Sequence, residues 1–498
     1  MINLGVYPAS WLDEGFSLNA AVALVETGQY GTFNYKGVIP FDPAISSGAP
    51  LILPMAASIS IFGQGLLQGR MVVVAYALVA VTLFYILTEK LYGRHMALWV
   101  AVLVLAFPPL ADDTGFLAKS RLILGEVPAF TFMLIAILLW ERDWRKPSLL
   151  YSVAAGIAVG LGVWTKLQVI LPFLPTIVFI AILRTIQGKG NFFRLVLPAV
   201  VAVGVYAVWM LIAQTLTPAA LQLENRAVII DGIRTNFFTN LRGASLSKGM
   251  YIMLAIILVG LGGWLWRASR VVGTAPPEER DKHWLEAMLA FYVSAAVIWV
   301  YVFSIGWPRY IFGGLIIGLL LFGRTLYSLS IAMVNRLFLP SHERTQRLIY
   351  GVSLAALFIL GFFTQVLPSI TYDEPPYDKM IVDYINENID RSAIIETWEW
   401  DIVARSQHRN YHMPSQLILQ NALRQYSSNQ AVELNYDVLQ TSPDYLLEGP
   451  FSGWMQIYDT PLQRANFESV VLIGNKYRLL RRIYPKTTNY QARVTIER

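Results

Sequence analysis

Two neighbouring carboxylic acids, Asp13 and Glu14, stand in the stretch Trp11-Leu12-Asp13-Glu14-Gly15, ahead of a long series of apolar segments. Carboxylates at the edge of a bilayer are costly unless they are solvated, paired or used in chemistry. Such a group can act as a general base that takes the proton from an attacking hydroxyl. A structural alternative stays open, because Asp13 could cap a helix that begins near Gly15.

Further polar side chains fall at the same predicted depth, near the ends of predicted spans: Lys119, Arg121, Glu126, Lys166, Arg309 and Tyr310. Each has an alternative interpretation. Glu126 could simply pair with Arg121, and Lys166 and Arg309 could extend to the interface as anchors. Together they would place two or three carboxylates and several cations on one face. This pattern suits a phosphate-bearing lipid donor, whose phosphate the cations hold while a carboxylate deprotonates the nucleophile.

Signals for other chemistry are weaker. His408 and His412 are four residues apart, a spacing that binds metal on a helix, but the chain has no H-E-x-x-H motif. Asp112-Asp113 is more typical of a solvated loop than of a metal site. There is no cysteine, no P-loop, no dinucleotide fingerprint and no G-x-S-x-G.

The composition indicates a polytopic α-helical membrane protein. Of 498 residues, 55% are hydrophobic and only 14% charged, and the mean hydropathy is +0.49. Several apolar runs approach the roughly 20 residues that a bilayer requires. The net charge of +6 is dispersed over loops, which is typical of membrane topology and contact with anionic lipid rather than of nucleic-acid binding.

Three parts follow from the hydropathy pattern. Residues 1–65 form a loop with short amphipathic or interfacial helices, Phe16–Glu26 and Leu51–Phe62. Residues 66–370 form a transmembrane domain of about ten helices, and residues 371–498 form a small α/β domain. The ten predicted spans are 66–89, 95–111, 122–140, 149–165, 167–183, 195–217, 249–266, 285–307, 310–334 and 348–370.

Lysine and arginine set the predicted orientation. With Asp13 outside, the inner loops hold about twice as many Lys and Arg as the outer loops. The pattern therefore predicts that the acid pair and the C-terminal domain face the exterior. No basic and apolar leader precedes Asp13, so we expect the true start to lie upstream or a first helix to have been lost.

The order of several short motifs resembles the front end of GT-C fold glycosyltransferases, in the bacterial branch related to protein O-mannosyltransferases and to the lipid A aminoarabinose transferase. The matching stretches are Asp13-Glu14-Gly15, Glu26-Thr27-Gly28-Gln29-Tyr30, Ser47-Gly48-Ala49-Pro50, Phe62-Gly63 with Arg70, Arg121 with Glu126, Trp164-Thr165-Lys166 and Arg309-Tyr310. The similarity covers most of residues 10–330.

The resemblance implies an inverting transferase at the outer face of the cell membrane. Its donor would be a polyprenyl-phosphate sugar and its acceptor a lipid, glycan or protein, without a glycosyl-enzyme intermediate. Asp13 matches the family's base, Glu14 its partner, and Glu126 the second-loop acid. Arg121, Lys166, Arg309 and Tyr310 fall where the donor phosphate would bind.

The chain also departs from the family pattern. The family's first span is absent ahead of Asp13, and Ala49-Pro50 stands where relatives of the aminoarabinose type have Lys-Pro. Those relatives' histidine-bearing metal site is not visible, so use of a divalent metal ion stays open. A transporter or flippase for a lipid-linked saccharide is the alternative function, although the paired, broken helices of such proteins are not seen.

Overall fold

The computed structural model describes residues 2–40, 47–110, 114–188, 190–216, 247–271, 277–304, 307–337, 343–414, 436–458 and 461–483. The Asp112-Asp113 pair and almost all of the predicted loop 218–248 lie outside these residues.

The N-terminal part contains two helices and a hairpin. Helix α1, Leu12–Thr27, begins one turn earlier than predicted and ends at Gly28, whose φ of 72° is a left-handed conformation that glycine adopts without strain. Strands β1 (Gly31–Asn34) and β2 (Gly37–Pro40) pair antiparallel. The predicted interfacial helix is α2, Ala49–Phe62.

Helices joined mostly by short links make up the membrane region. In chain order they are α3 Leu66–Tyr92, α4 Arg94–Ala106, α5 Phe116–Lys119, α6 Glu126–Arg145, α7 Leu149–Thr165, α8 Leu167–Ile170, α9 Phe173–Ile186, α10 Phe192–Leu216, α11 Lys248–Val271, α12 Pro277–Ile298, α13 Phe312–Leu337, α14 Glu343–Gly361 and α15 Leu367–Ile370. Single π-helical turns, Trp299–Phe303 and Phe362–Val366, extend α12 and α14, and the 3-10 turn Pro308–Ile311 leads into α13.

Seven helical segments in the described part of the chain are long and apolar enough to cross a membrane: 66–92, 167–186, 192–215, 248–269, 281–303, 308–333 and 347–370. The other three predicted spans also fold as helices but do not meet this criterion. Helices α4 and α7 are shorter, and α6 carries Glu126 at its start and four charged residues in its last five. The chain is therefore a multi-pass membrane protein.

A small domain with a five-stranded mixed sheet follows the last membrane helix, as predicted. Its elements are α16 Tyr377–Asn388, β3 Ile395–Thr397, α17 Trp400–Arg405, β4 Tyr411–His412, β5 Tyr445–Glu448, α18 Pro450–Met455, α19 Pro461–Asn466, β6 Phe467–Ile473 and β7 Tyr477–Arg482. The strand order is β4-β3-β5-β7-β6. Ile395 lies opposite both Tyr411 and Tyr445 in parallel pairings, whereas β7 is antiparallel to β5 and β6.

This C-terminal domain packs directly on α1. A Cβ atom on Gly15 would lie 2.2 Å from the backbone nitrogen of Asp401, so no larger residue fits at this crossing. Beside it, the rings of Phe16 and Trp400 have centroids 4.3 Å apart. The Ser10 hydroxyl donates to the Asp401 carboxylate at 2.6 Å. Helix α1 therefore lies between the membrane helices and the C-terminal domain.

Two further contacts join the domain to the start of the chain. Arg409 donates from Nε to the Glu26 carboxylate at 2.9 Å, and the Gln64 side chain donates to the Ala404 carbonyl at 2.5 Å. These contacts hold both ends of α1 and the α2–α3 link against one rigid surface.

Candidate active site

Asp13 lies in the first turn of α1 and faces the membrane helices. The N-cap is Trp11, so Asp13 is inside the helix and the alternative that it caps a helix beginning near Gly15 is wrong. Its Oδ2 accepts a hydrogen bond from Arg309 Nη1 at 2.5 Å. The side chain keeps 24% of its surface exposed, which leaves room for a reactant to approach the carboxylate.

Glu14 points elsewhere, into the core between α1 and α3. Its two oxygens accept from Arg70 at 3.0 and 2.8 Å, and both side chains are fully buried. The backbone N–H groups of Ile123 and Trp11 donate to the same carboxylate at 2.7 and 3.0 Å. Every side of the Glu14 carboxylate is therefore occupied by a protein donor.

Glu126 begins α6 and is 1% exposed. Its nearest cation is Lys166, whose Nζ lies 3.8 Å from Oε1, and not Arg121 as in the alternative drawn from sequence. Neither oxygen accepts a hydrogen bond from the described residues. A buried carboxylate whose lone pairs are unused is costly, so this group is available to a bound ligand.

Close backbone packing positions Lys166 next to Glu126. The N–H of Gly48 donates to the Thr165 carbonyl at 3.3 Å, and a Cβ on Gly48 would lie 1.8 Å from the Trp164 carbonyl oxygen. A Cβ on Gly125 would likewise approach the Thr165 carbonyl oxygen at 2.8 Å. Glycine at both places lets the α7–α8 link lie directly against the start of α6.

Lys119, at the end of α5, completes the cluster and is 3% exposed. Burial alone would raise the pKa of Asp13, but Arg309, Lys166 and Lys119 together hold that pKa below its ordinary value. The Asp13 carboxylate is therefore ionised at neutral pH.

Arg121 and Tyr310 have different surroundings. Arg121 donates to the carbonyl oxygens of Ile2 and Tyr7 at 2.6 and 3.1 Å and its guanidinium lies over the Tyr7 ring, so it fastens the N-terminal segment. Tyr310 is half-buried beside Arg309, whose guanidinium carbon is 5.9 Å from its ring centroid.

Comparison with known proteins supports the resemblance drawn from sequence. Residues 50–212 match the family model of dolichyl-phosphate-mannose-protein mannosyltransferase. ArnT from Cupriavidus metallidurans, in a crystal structure bound to undecaprenyl phosphate, superposes over 94% of this chain and 93% of its own, with a TM-score of 0.60 and 13% identity. The chain has the GT-C glycosyltransferase fold. The apo form of the same ArnT gives a TM-score of 0.59 at 14% identity, over the same shares of both chains.

A second GT-C structure shows the same architecture. The archaeal oligosaccharyltransferase AglB from Archaeoglobus fulgidus, in complex with an inhibitory peptide and a dolichol-phosphate, matches 92% of this chain and 68% of its own, with a TM-score of 0.53 and 13% identity. No curated protein sequence matches the chain.

Two residues of this site have no individual role in the prediction from sequence. Lys119 enters only as one of several cations on one face, and Arg70 only as part of a motif. The available signal for Arg70 was a cation one turn inside an apolar segment, which is costly unless it is paired. Its partner could not be read from the sequence, because Glu14 is 56 residues away.

A divalent metal ion does not fit the acid cluster. Asp13 and Glu126 supply two negative charges, and Arg309, Lys166 and Lys119 surround them with three positive ones. No group of three or more His, Cys, Asp or Glu side chains gathers among the described residues. His408 and His412 lie on a loop and a strand, where they contact the Ala393 carbonyl and Glu396. We therefore derive no step through a metal ion.

Proposed function

We propose that this protein is an inverting glycosyltransferase that moves a sugar from a polyprenyl-phosphate donor to a hydroxyl of a lipid, glycan or protein acceptor. The observation that carries the proposal is the partly exposed Asp13 carboxylate, set among Arg309, Lys166 and Lys119. Beside it lies the carboxylate of Glu126, which accepts no hydrogen bond from the described residues. The GT-C fold and the polyprenyl and dolichol phosphates held by ArnT and AglB support it.

The charge of the cluster suits an anionic donor. Three cations against the carboxylates of Asp13 and Glu126 leave one positive charge in excess. A positive excess in a buried setting attracts a phosphate and stabilises the charge that gathers on it as the sugar departs. We assign Arg309, Lys166 and Lys119 to the donor phosphate.

The reaction is a single displacement. Asp13 accepts the proton of the acceptor hydroxyl while the oxygen of that hydroxyl attacks the anomeric carbon. The bond between that carbon and the phosphate oxygen breaks, and its electron pair stays on the phosphate, which the cations hold. Attack opposite to the leaving group inverts the anomeric carbon, and no glycosyl-enzyme intermediate forms.

Arg309 links donor binding to the strength of the base. Arg309 pairs with Asp13 at 2.5 Å, and this contact lowers the basicity of the carboxylate. A donor phosphate competes for the same guanidinium, since arginine binds phosphate through paired N–H donors. Asp13 then regains basicity when a donor is present, which limits unproductive proton uptake in its absence.

The remaining acids have separate roles in this proposal. Glu126, whose oxygens accept no hydrogen bond from the described residues, accepts hydrogen bonds from hydroxyls of the transferred sugar or acceptor and so orients it. Glu14 is a positioning residue, because its bond to Arg70 fixes the first turn of α1 and with it the direction of Asp13. Arg121 acts at a distance by fastening the N-terminal segment.

The loop charges and the lipid donor together favour a site at the outer face of the plasma or inner membrane. The donor would enter sideways from the bilayer, and the acceptor from the aqueous side, where the C-terminal domain also lies.

Asp13→Asn tests the proposal most directly. The purified variant should fold and bind a donor but lose at least about 100-fold in transfer from a panel of polyprenyl-phosphate sugars, because general-base catalysis contributes about 10²–10⁴-fold. The matched control is Asp373→Asn, which removes an exposed carboxylate of the neighbouring loop and should leave transfer unchanged.

Near-normal transfer by the Asp13→Asn variant would refute the assignment of the base. Movement of a labelled lipid-linked saccharide across vesicles, without any sugar transfer by the wild type, would instead support the flippase alternative.

A further inference from the structure

A cavity lies at the end of the helix bundle that is opposite to Asp13. It has a volume of about 230 Å³ and lies between α11 and α13, lined by Gly263, Trp266, Arg267, Thr325, Ser328 and Leu329. Thr325 follows Arg309 by 16 residues, which is about 24 Å along a helix. Since the hydrocarbon core is about 30 Å thick, the cavity lies near the far boundary of the bilayer.

One arginine that lines this cavity, and a second arginine near it, have donors without acceptors among the described residues. Arg267 donates from Nη1 to the Thr325 hydroxyl at 3.1 Å, but its Nη2 is buried and makes no hydrogen bond with the described residues. The neighbouring Arg324 lies over the Tyr92 ring at 5.2 Å, and its buried Nε is likewise unpaired. Buried guanidinium donors normally have acceptors, so an acceptor other than the described residues is expected here.

The charges around the two arginines do not balance. Glu286 is the carboxylate that acts on Arg267, together with the Tyr92 hydroxyl and the like charge of Arg324. Among the described residues, two guanidinium groups against one carboxylate leave one positive charge in excess. Such an excess at membrane depth is costly, and a single anionic group would neutralise it.

The walls of the cavity belong to the lipid-facing surface. Trp266 and Leu329 are 50% and 52% exposed, and Leu265 on the same turn of α11 is also exposed. Gly263 adds depth, because a Cβ there would lie 2.1 Å from the Thr325 hydroxyl oxygen. A soluble anion would gain nothing from these walls, whereas an acyl chain would bury them.

We propose that this cavity binds one anionic phospholipid of the leaflet opposite to the transferase site, with its phosphate on Arg267 and the start of an acyl chain against Trp266 and Leu329. Basic pockets between membrane helices bind lipid phosphates in this way. The volume holds several groups of roughly 30 Å³ each, enough for a phosphodiester. The site is separate from the sugar-transfer site and does not depend on its chemistry.

The test measures lipid binding to purified, delipidated full-length protein by native mass spectrometry and by thermal unfolding in detergent. Phosphatidylglycerol is the anionic probe, phosphatidylcholine the zwitterionic one, and glycerol phosphate the soluble one. Arg267→Gln should weaken phosphatidylglycerol binding about tenfold or more, because it removes a hydrogen bond to a charged group. Arg336→Gln, which removes an exposed cation near the end of α13, should leave binding unchanged.

A second variant, Leu329→Trp, fills the cavity without a change of charge and should also weaken phosphatidylglycerol binding. It keeps the test available if Arg267→Gln does not fold. Phosphatidylglycerol affinity equal to that of the wild type in both Arg267→Gln and Leu329→Trp would overturn the proposal. So would equal binding of phosphatidylcholine, or protection by glycerol phosphate alone, which would indicate a soluble-anion site.

Discussion

Two consecutive residues of a helix can have entirely different partners, because their side chains point in different directions. Side chains one position apart differ by about 100° around a helix, so Asp13 meets Arg309 while Glu14 meets Arg70. The sequence predicts that both acids lie at the site, and the family resemblance separates them, with Asp13 as the base and Glu14 as its partner. Their different surroundings could not be read from the sequence, because Arg309 and Arg70 come from distant parts of the chain. Only Asp13 keeps surface for a reactant.

The Glu14–Arg70 pair yields the first stability prediction. Glu14→Gln leaves Arg70 buried without a counter-charge, and breaking a buried pair in this way costs about 3–5 kcal/mol. The thermal unfolding temperature of the purified variant should therefore lie well below that of the wild type. Asp13→Asn, at a partly exposed position, serves as the comparison and should lose much less. Equal unfolding temperatures for the two variants would contradict a structural role for Glu14.

At the scale of elements, α1 is held from two sides. Gly15 lies where α1 crosses α17, and a Cβ at this position would approach the backbone nitrogen of Asp401 to 2.2 Å. Gly15→Ala must push α1 away from α17 and displace Asp13, and a misplacement of about 1 Å can cost 10²-fold in rate. We expect transfer to fall by about that factor while membrane insertion is kept, measured by turnover with saturating donor.

The control for this change is Gly204→Ala in α10, where an added Cβ meets no atom within 4 Å. That variant should keep full activity and gain slightly in stability, because alanine favours a helix over glycine. Unchanged turnover in Gly15→Ala would show that the crossing of α1 and α17 does not position the base.

The local sequence pattern predicts most helices and strands but few of the tertiary contacts between them. The pattern of Ser469–Arg481 predicts a hairpin that turns at Gly474-Asn475, and β6 and β7 pair on either side of these residues, because turn residues are read locally. The pattern of Ser392–Trp400 predicts a strand, but the strand is shorter, Ile395–Thr397, and α17 begins at Trp400. That difference follows from the tertiary contact with α1, which no periodicity reports. The close approach of Lys166 to Glu126 also depends on tertiary contacts, because Gly48 and Gly125 let the α7–α8 link lie against the start of α6.

At the scale of the whole molecule, the joint between α1 and the C-terminal domain contains a buried acid, Glu399. Burial, with a smaller contribution from nearby Asp401, raises the pKa of Glu399 to about 8 from an ordinary value of 4.5. A group with a raised folded pKa contributes stability that is complete below about pH 4.5 and is lost as pH rises towards 8. The domain should therefore loosen across this interval.

Limited proteolysis between pH 5 and about pH 9 measures this effect, and cleavage within the C-terminal domain should increase with pH in the wild type. Glu399→Gln cannot ionise, so its cleavage should vary much less over the same range. The Glu399 carboxylate accepts hydrogen bonds from the backbone N–H groups of Phe451 and Ser452. The side-chain amide oxygen of the Glu399→Gln variant can keep one of these hydrogen bonds. Parallel pH profiles for the two proteins would contradict the assignment.

The packing of Phe16 against Trp400 also bears on when the protein becomes functional during its synthesis. Helix α1 precedes every membrane helix in the chain, yet the C-terminal domain on which it packs follows all of them. A nascent chain with every membrane helix already inserted still lacks that support. Proteins shortened before residue 377 should accordingly integrate into the bilayer but lack this support of α1 and, with it, the proposed sugar transfer.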